Sequence, residues 1–183
     1  MAITGLHVAE PRADMGSSER AASDRVSHRE WRAAALIVAI CLSVGALGGL
    51  MTASGVSTWY PTLEKPAWNP PNGVFGPVWT ALYAMMALAY WLVWRRRGLA
   101  GARAATALFA IQLSLNLAWS GLFFSLQRPD LALLDIFALL IALVWTTLEF
   151  HRHSRTAAAL MVPYILWVSF ALSLNAAIWW LNL

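Results

Sequence analysis

The chain has 183 residues, of which 60% are hydrophobic and only 12% are charged, whereas about a quarter of the residues in an average soluble domain carry charge. The formal net charge of +4 is spread over short connecting segments and forms no basic face, so we do not expect nucleic-acid binding. The single cysteine, Cys41, excludes a disulfide framework and a cysteine-based zinc site.

The first 30 residues are polar, rich in serine, alanine and arginine, and without hydrophobic period. Such a composition predicts a disordered tail, because too little apolar surface is available for burial. The segment also lacks the apolar centre of a cleavable signal peptide. Residues 31–183 are predicted to form one membrane domain.

Five apolar runs follow, each close to the roughly 20 residues that cross a bilayer core of about 30 Å as a helix. They lie near residues 33–52, 74–94, 104–126, 131–150 and 157–181. We therefore predict an all-α integral membrane bundle of five transmembrane helices, with the lipid bilayer as its surroundings. The connection over residues 53–73 contains four prolines and two tryptophans, which predicts an ordered lid loop rather than a plain spacer.

The basic residues predict an orientation, because lysine and arginine near membrane spans favour the cytoplasmic side. Eleven of them lie in the tail and in the connectors after the second and fourth runs, whereas two lie on the other side. We expect the N-terminus to be cytoplasmic, and the lid loop and the C-terminus to face the opposite compartment. Helical spans favour a bacterial inner membrane.

Three runs carry an aromatic or polar stripe on one helical face. On the second run the stripe covers an arc of about 60° and comprises Trp79, Tyr83, Met86 and Tyr90. On the third it covers about 100° and comprises Gln112, Asn116, Trp119, Ser120 and Phe123. On the fifth it covers about 80° and comprises Tyr164, Trp167, Ala171, Asn175 and Ile178.

Two interpretations of these stripes stay open. Buried amides need hydrogen-bond partners, so Gln112, Asn116 and Asn175 should point into the bundle, either to join helices or to contact a ligand. The deep tryptophans Trp79 and Trp119 of these faces, with Trp167, either fill the core or line a cavity for a flat hydrophobic ligand.

Other motifs have a structural and a functional interpretation each. Small residues recur at Gly45 and Gly49, and again at Thr106, Ala110, Ser114 and Ala118, so either row could form a homodimer or pack within one chain. Asp135 is a carboxylate inside a span, with a structural role favoured over a functional one. The Glu149, His151 and His153 triplet is expected to be a solvated turn rather than a metal site, and we predict no metal.

Several motifs together resemble the TspO/MBR family. They are KPAWNPP at residues 65–71, GPVWTALY at 76–83, QLSLNLAWSGLFF at 112–124, LLD at 133–135 and PYILWVSFALSLN at 163–175. The resemblance covers roughly residues 36–182 and leaves only the N-terminal tail outside. It implies a five-helix bundle, usually dimeric, with a pocket closed by the loop between the first two helices.

The resemblance also implies a ligand, since members of this family bind porphyrins such as protoporphyrin IX and haem. Positions that match the family's pocket are Trp68, Trp79, Tyr83, Asn116, Trp119, Trp167, Ala171 and Leu174. To these the stripes add Gln112, Phe123, Tyr164 and Asn175 as candidate ligand contacts. No cofactor is expected to be obligatory. The family's C-terminal sterol pattern is missing, because no Tyr, Lys or Arg follows Leu174, so cholesterol is not the expected ligand.

Four functions compete at this point. The favoured one is a membrane sensor that binds a tetrapyrrole. The family resemblance also allows light-dependent porphyrin degradation, in which Trp79 and Trp167 would be the catalytic residues, and a porphyrin or sterol translocator. The fourth is a scaffold that needs no cavity. Enzymatic activity is left undecided by the residues.

Overall fold

The structure, a computed structural model, describes the backbone of residues 15–183 and the side chains of residues 28 and 30–183. The predicted tail falls partly outside this range: residues 1–14 lie outside the described residues, and its disorder there stays a prediction. From Met15 onward the backbone is helical. The chain divides into two units, Met1–Ala33 and Ala34–Leu183.

Five long helices make up the fold. They are α1 (Met15–Thr58), α2 (Phe75–Gly101), α3 (Arg103–Ser120), α4 (Pro129–His153) and α5 (Arg155–Leu181). Each contains a stretch long and apolar enough to cross a membrane, which in α1 is Glu30–Thr58. No strand occurs in residues 15–183. The predicted class, an all-α bundle of five transmembrane helices, is confirmed.

The first connection is shorter than predicted, because α1 continues through residues 53–58. The hydroxyl of Thr52 donates to the Gly48 carbonyl and that of Thr58 to the Ser54 carbonyl. These residues therefore satisfy their polar groups within the helix, and the first proline after α1 is Pro61. The lid loop begins at Trp59 and contains two short 3₁₀ turns, Tyr60–Thr62 and Asn72–Val74.

The ends of α2 and α3 also differ from the sequence prediction. The basic segment after the second run is helical up to Arg97 and breaks at Gly98, where φ is 64° and ψ is 178°. Only glycine adopts this conformation without strain. At the other end α3 continues into a π-helical turn, Gly121–Ser125, which carries Phe123 and which the hydrophobic period did not indicate.

Helices α2 to α5 pack around a common core. Part of this core is an aromatic stack in which the rings of Tyr90 and Phe109 lie parallel with centroids 4.5 Å apart. Phe150 of α4 packs beside both rings. Close packing of such large side chains contributes van der Waals contacts that hold these helices together in a membrane.

Helix α1 approaches the bundle through glycines. A Cβ atom at Gly45 would lie 2.8 Å from the ring of Tyr83, and one at Gly55 would lie 2.7 Å from the Phe124 carbonyl oxygen. Gly48 lies against Ser120. By contrast, no heavy atom lies within 4 Å of a Cβ built at Gly49, so the two glycines of the predicted packing motif have different environments.

This difference predicts opposite effects for two identical substitutions. Gly45→Ala should lower the free energy of unfolding by about 1–3 kcal/mol, because the added methyl overlaps a ring that a hydrogen bond holds in place. Gly49→Ala should leave stability unchanged or raise it by up to about 1 kcal/mol, since alanine is the better helix former. Thermal unfolding of both variants in the same detergent measures this; equal shifts would contradict the assigned packing of α1.

Candidate functional site

A cavity of about 600 Å³ lies between α1 and the facing sides of α2, α3 and α5. Its volume is within the range of about 300–1000 Å³ that is typical of small-molecule sites. Aromatic rings from each of the three bundle helices line it, namely Trp79 on α2, Trp119 on α3 and Trp167 on α5. Of the two interpretations that the helical faces left open for these tryptophans, core filling and the lining of a cavity, the structure shows the second.

Most of the predicted ligand contacts meet at this cavity. Those that line it are Trp79, Tyr83, Asn116, Trp119, Phe123, Trp167, Ala171, Leu174 and Asn175. Three others do not line it. Trp68 is 58% exposed on the lid loop, whereas Gln112 and Tyr164 are fully enclosed in the helix core.

A hydrogen-bonded chain fixes one wall of the cavity. The Tyr83 hydroxyl donates to Oδ1 of Asn116, and Nδ2 of Asn116 donates to the Tyr164 hydroxyl. All three residues are buried, so these bonds replace water as partners of their polar groups. The chain joins α2, α3 and α5 and holds the amide of Asn116 in one orientation.

A second amide positions Trp119. The indole Nε1 donates to Oδ1 of Asn175 at 3.0 Å, and Nδ2 of Asn175 donates to the Pro129 carbonyl at 2.8 Å. The indole also stacks on Phe123 with a centroid distance of 5.3 Å. Asn175 thus ties α5 to α3 and to the start of α4 while it orients an aromatic wall of the cavity.

The third predicted amide has a different role. Gln112 is enclosed, its Nε2 lies 4.0 Å from Sδ of Met86, and its Oε1 has no hydrogen-bond partner among the described residues. Its side chain lies in the helix core and away from the cavity lining. The prediction that all three amides point into the bundle is confirmed, and two of them contribute to the cavity wall.

The exposure of lining residues on α1 and α2 indicates that the cavity opens sideways between these two helices. Several lining residues are exposed as well, namely Leu42, Ala46, Gly49 and Ala53 on α1 and Gly76 and Thr80 on α2. All of them lie in helices long enough to cross the membrane. A ligand that is dissolved in the bilayer would therefore meet the mouth of the cavity directly.

The lid loop is anchored to the end of α5. The Glu64 amide donates to Oδ1 of Asn182, and Nδ2 of Asn182 donates to the Glu64 carbonyl, both at 3.0 Å. Within the loop the buried Tyr60 donates to Oδ1 of Asn69 and lies beneath the Lys65 ammonium group, 5.0 Å from the ring centroid. Burial raises the pKa of Tyr60 above its ordinary value.

The face of α1 is the part of the cavity that sequence reasoning missed. It contributes small residues, among them Ala46, Gly49 and Ala53, opposite the aromatic walls. A row of small residues on α1 was the available signal, but the Gly45 and Gly49 pair was interpreted only as a packing motif. Phe75 was missed as well; it contacts Trp167 edge to face with centroids 5.9 Å apart.

The remaining candidates lie away from the cavity. One carboxylate oxygen of Asp135 is buried and has no hydrogen-bond partner in the part of the chain that the structure describes. Glu149 pairs with Arg152 and with His153, and no group of three or more potential metal ligands was found in the same part. On α3, Ala110, Ser114 and Ala118 face outward, and homodimerisation through them stays a prediction.

Comparison with known proteins agrees with this architecture. The profile of the TspO/MBR family matches residues 37–181. The chain is 46% identical to "Tryptophan-rich protein TspO" of Chlorobaculum tepidum over 81% of its own length and 94% of the relative's. It is 38% identical to the human "Translocator protein" over 66% and 73% of the two lengths. It is 34% identical to the "Tryptophan-rich sensory protein" of Cereibacter sphaeroides over 80% of its own length and 89% of the relative's. The chain is an integral membrane protein and belongs to the TspO/MBR family.

Proposed function

We propose that the protein is a membrane receptor that binds a tetrapyrrole in the cavity and thereby senses it. The observation that carries this proposal is the meeting of Trp79, Trp119 and Trp167 around one space of about 600 Å³. Indole rings stack on flat conjugated ligands, and apolar burial supplies affinity. The sideways mouth suits a ligand that reaches the site through the bilayer. One relative is named a tryptophan-rich sensory protein.

The lining residues favour a metal-free porphyrin over haem. The lining contains no histidine, cysteine or methionine among the described residues, and these side chains are the most common axial ligands of haem iron. Tyrosine can also ligate haem iron, but the hydroxyls of the lining tyrosines, Tyr60 and Tyr83, are engaged with Asn69 and Asn116. It contains no lysine or arginine either. Because an unpaired buried carboxylate is costly, the propionates of protoporphyrin IX should remain at the mouth while the ring enters the cavity.

A dark titration of the detergent-solubilised protein with protoporphyrin IX, followed by tryptophan fluorescence, tests the proposal. We expect saturation near one porphyrin per chain. Replacing Trp79 and Trp167 together with phenylalanine should weaken binding by about tenfold, because two stacking contacts of about 0.5–1.5 kcal/mol each are reduced. Trp180→Phe is the matched control, since Trp180 is 73% exposed at the end of α5.

Two results would contradict the receptor proposal. Quenching that does not saturate and equals the quenching in empty detergent would mean that the indoles serve packing alone. Equal affinities of the double variant and the Trp180→Phe control would remove the tryptophan cavity as the site. Illumination of the saturated complex then separates binding from catalysis, because an enzyme must form more than one equivalent of product per chain.

A translocator is the second candidate, favoured by the mouth between α1 and α2 and by the relatives named translocator proteins. Passage of a ligand requires a second exit, whereas a receptor requires only one opening. Porphyrin flux into sealed proteoliposomes distinguishes them. Flux equal to that of protein-free liposomes over a range of porphyrin concentrations would exclude transport.

We further propose an inner-membrane location with the N-terminus in the cytoplasm. The orientation is supported by the excess of basic residues in the tail and in the α2–α3 and α4–α5 connections, because basic residues near membrane spans favour the cytoplasmic side. Cysteine labelling from one side of sealed vesicles checks the orientation, and the native Cys41 gives little background because it is fully buried. If the Glu64→Cys variant were labelled only by reagent on the cytoplasmic side, the proposed orientation would be wrong and the lid loop would face the cytoplasm.

A further inference from the structure

A second, shallow groove lies on the outer surface where α2 turns into α3. The residues that line it are Leu99, Ala100, Arg103, Thr106, Ala107 and Ala110. None of them lines the tryptophan cavity. The break at Gly98 sets Leu99 and Ala100 at one end of the groove, and two turns of α3 form its floor.

The floor of this groove is apolar. The hydroxyl of Thr106 is hydrogen-bonded to the Ala102 carbonyl and to the Tyr90 hydroxyl, each at 2.9 Å. Its side chain therefore needs no hydrogen bond from a molecule in the groove. The alanines at 107 and 110 leave the surface shallow and smooth. From Arg103 to Ala110 the helix rises by about 10 Å, which is enough for several methylene groups of an extended acyl chain.

One basic residue, Arg103, lines the groove. Three more, Arg95, Arg96 and Arg97, precede the Gly98 break in the chain. All four are exposed, and none forms an ion pair with a carboxylate of the described residues. Arg96 donates to the His153 carbonyl and Arg95 lies over the Trp91 ring, so the charges of these residues are not neutralised within the described part of the chain.

We propose that this groove is a binding site for an anionic phospholipid, whose phosphate contacts Arg103 and one of whose acyl chains lies over Thr106, Ala107 and Ala110. A shallow apolar surface along a spanning helix, bordered by an arginine that forms no ion pair among the described residues, matches the two chemical parts of such a lipid. Arginine holds a phosphate through paired N–H donors. The proposal is independent of the ligand in the tryptophan cavity.

Native mass spectrometry of the full chain tests the site, with dioleoyl phosphatidylglycerol as the probe and dioleoyl phosphatidylcholine as the neutral lipid. We expect one phosphatidylglycerol to be retained in preference to phosphatidylcholine. Arg103→Gln should weaken retention by about fivefold, as expected for one charge at the lipid surface. Ala107→Phe, which fills the groove, should abolish the retained lipid while the protein stays monodisperse.

Matched controls decide the outcome. Arg155→Gln removes an exposed charge that does not line the groove, and Ala104→Phe adds the same ring to an exposed position of α3 outside it. Both should retain the lipid as the unaltered protein does. Equal losses in Arg103→Gln and Arg155→Gln would overturn the site in favour of diffuse attraction. If Ala107→Phe instead changed the oligomeric state with lipid retention intact, the face would be a contact between copies of the chain.

Discussion

Replacing Asn116 with leucine is expected to lower the free energy of unfolding by about 2–4 kcal/mol, the largest stability loss that we predict for this protein. The substitution removes the amide that accepts from Tyr83 and donates to Tyr164. Two phenol groups that are buried at 6% and 1% exposure would then lose their partner, and each unsatisfied group costs about 1–3 kcal/mol. Unfolding in detergent, followed by tryptophan fluorescence, measures the loss.

The triple variant Asn116→Leu, Tyr83→Phe and Tyr164→Phe is the decisive control. It removes all three side-chain polar groups of the hydrogen-bonded chain, so no buried hydroxyl or amide is left without a partner. The triple variant should therefore recover much of the lost stability. Should the single and triple variants be equally destabilised, the loss would come from packing around leucine. The importance of the hydrogen-bonded chain would then be disproved.

Gly49→Phe is expected to weaken porphyrin binding by about 100-fold while the fold is retained. A Cβ at this position meets no atom within 4 Å, and Gly49 lines the cavity, so the ring would enter the space that we assign to the ligand. A ligand that must share this space would lose affinity by about 100-fold, in line with overpacking costs of 1–3 kcal/mol. The measurement is the same dark titration with protoporphyrin IX.

Leu50→Phe is its matched control, because Leu50 is the next residue of α1 and is 72% exposed. It should bind porphyrin as the unaltered protein does, and both variants should unfold at similar temperatures. Undiminished binding by Gly49→Phe, with saturation at one porphyrin per chain, would place the ligand elsewhere on the protein. The proposal that the tryptophan cavity binds the porphyrin would then be wrong.

The sequence alone determined the membrane architecture. In hydrocarbon, a helix satisfies all backbone hydrogen bonds within its own segment, and a run of about 20 apolar residues is long enough to cross the bilayer as one. The fold class and the number of spans could therefore be inferred from the apolar runs. Helical periodicity likewise placed Trp79, Asn116 and Trp167 on inward faces. These are properties of a single helix, which need no knowledge of its neighbours.

Helix ends were less predictable, because they depend on local hydrogen bonds. Helix α1 continues through a segment that resembles a loop in composition, and the hydroxyls of Thr52 and Thr58 find acceptors within the helix itself. The break at Gly98 and the π-helical turn at residues 121–125 are local changes of backbone conformation that involve only a few residues. Averages over a window of 11 to 18 residues, the range used for periodicity, do not resolve such events.

Only the tertiary structure decided which inward residues share the cavity. Gln112 and Asn116 lie one turn apart on the same stripe, yet Gln112 meets Met86 in the core whereas Asn116 faces the cavity. Gly45 and Gly49 differ in the same way, because Gly45 is in close contact with Tyr83 whereas Gly49 faces open space. The reason is physical: a helical period fixes the direction of a side chain from its own axis, but what it meets there depends on how neighbouring helices pack.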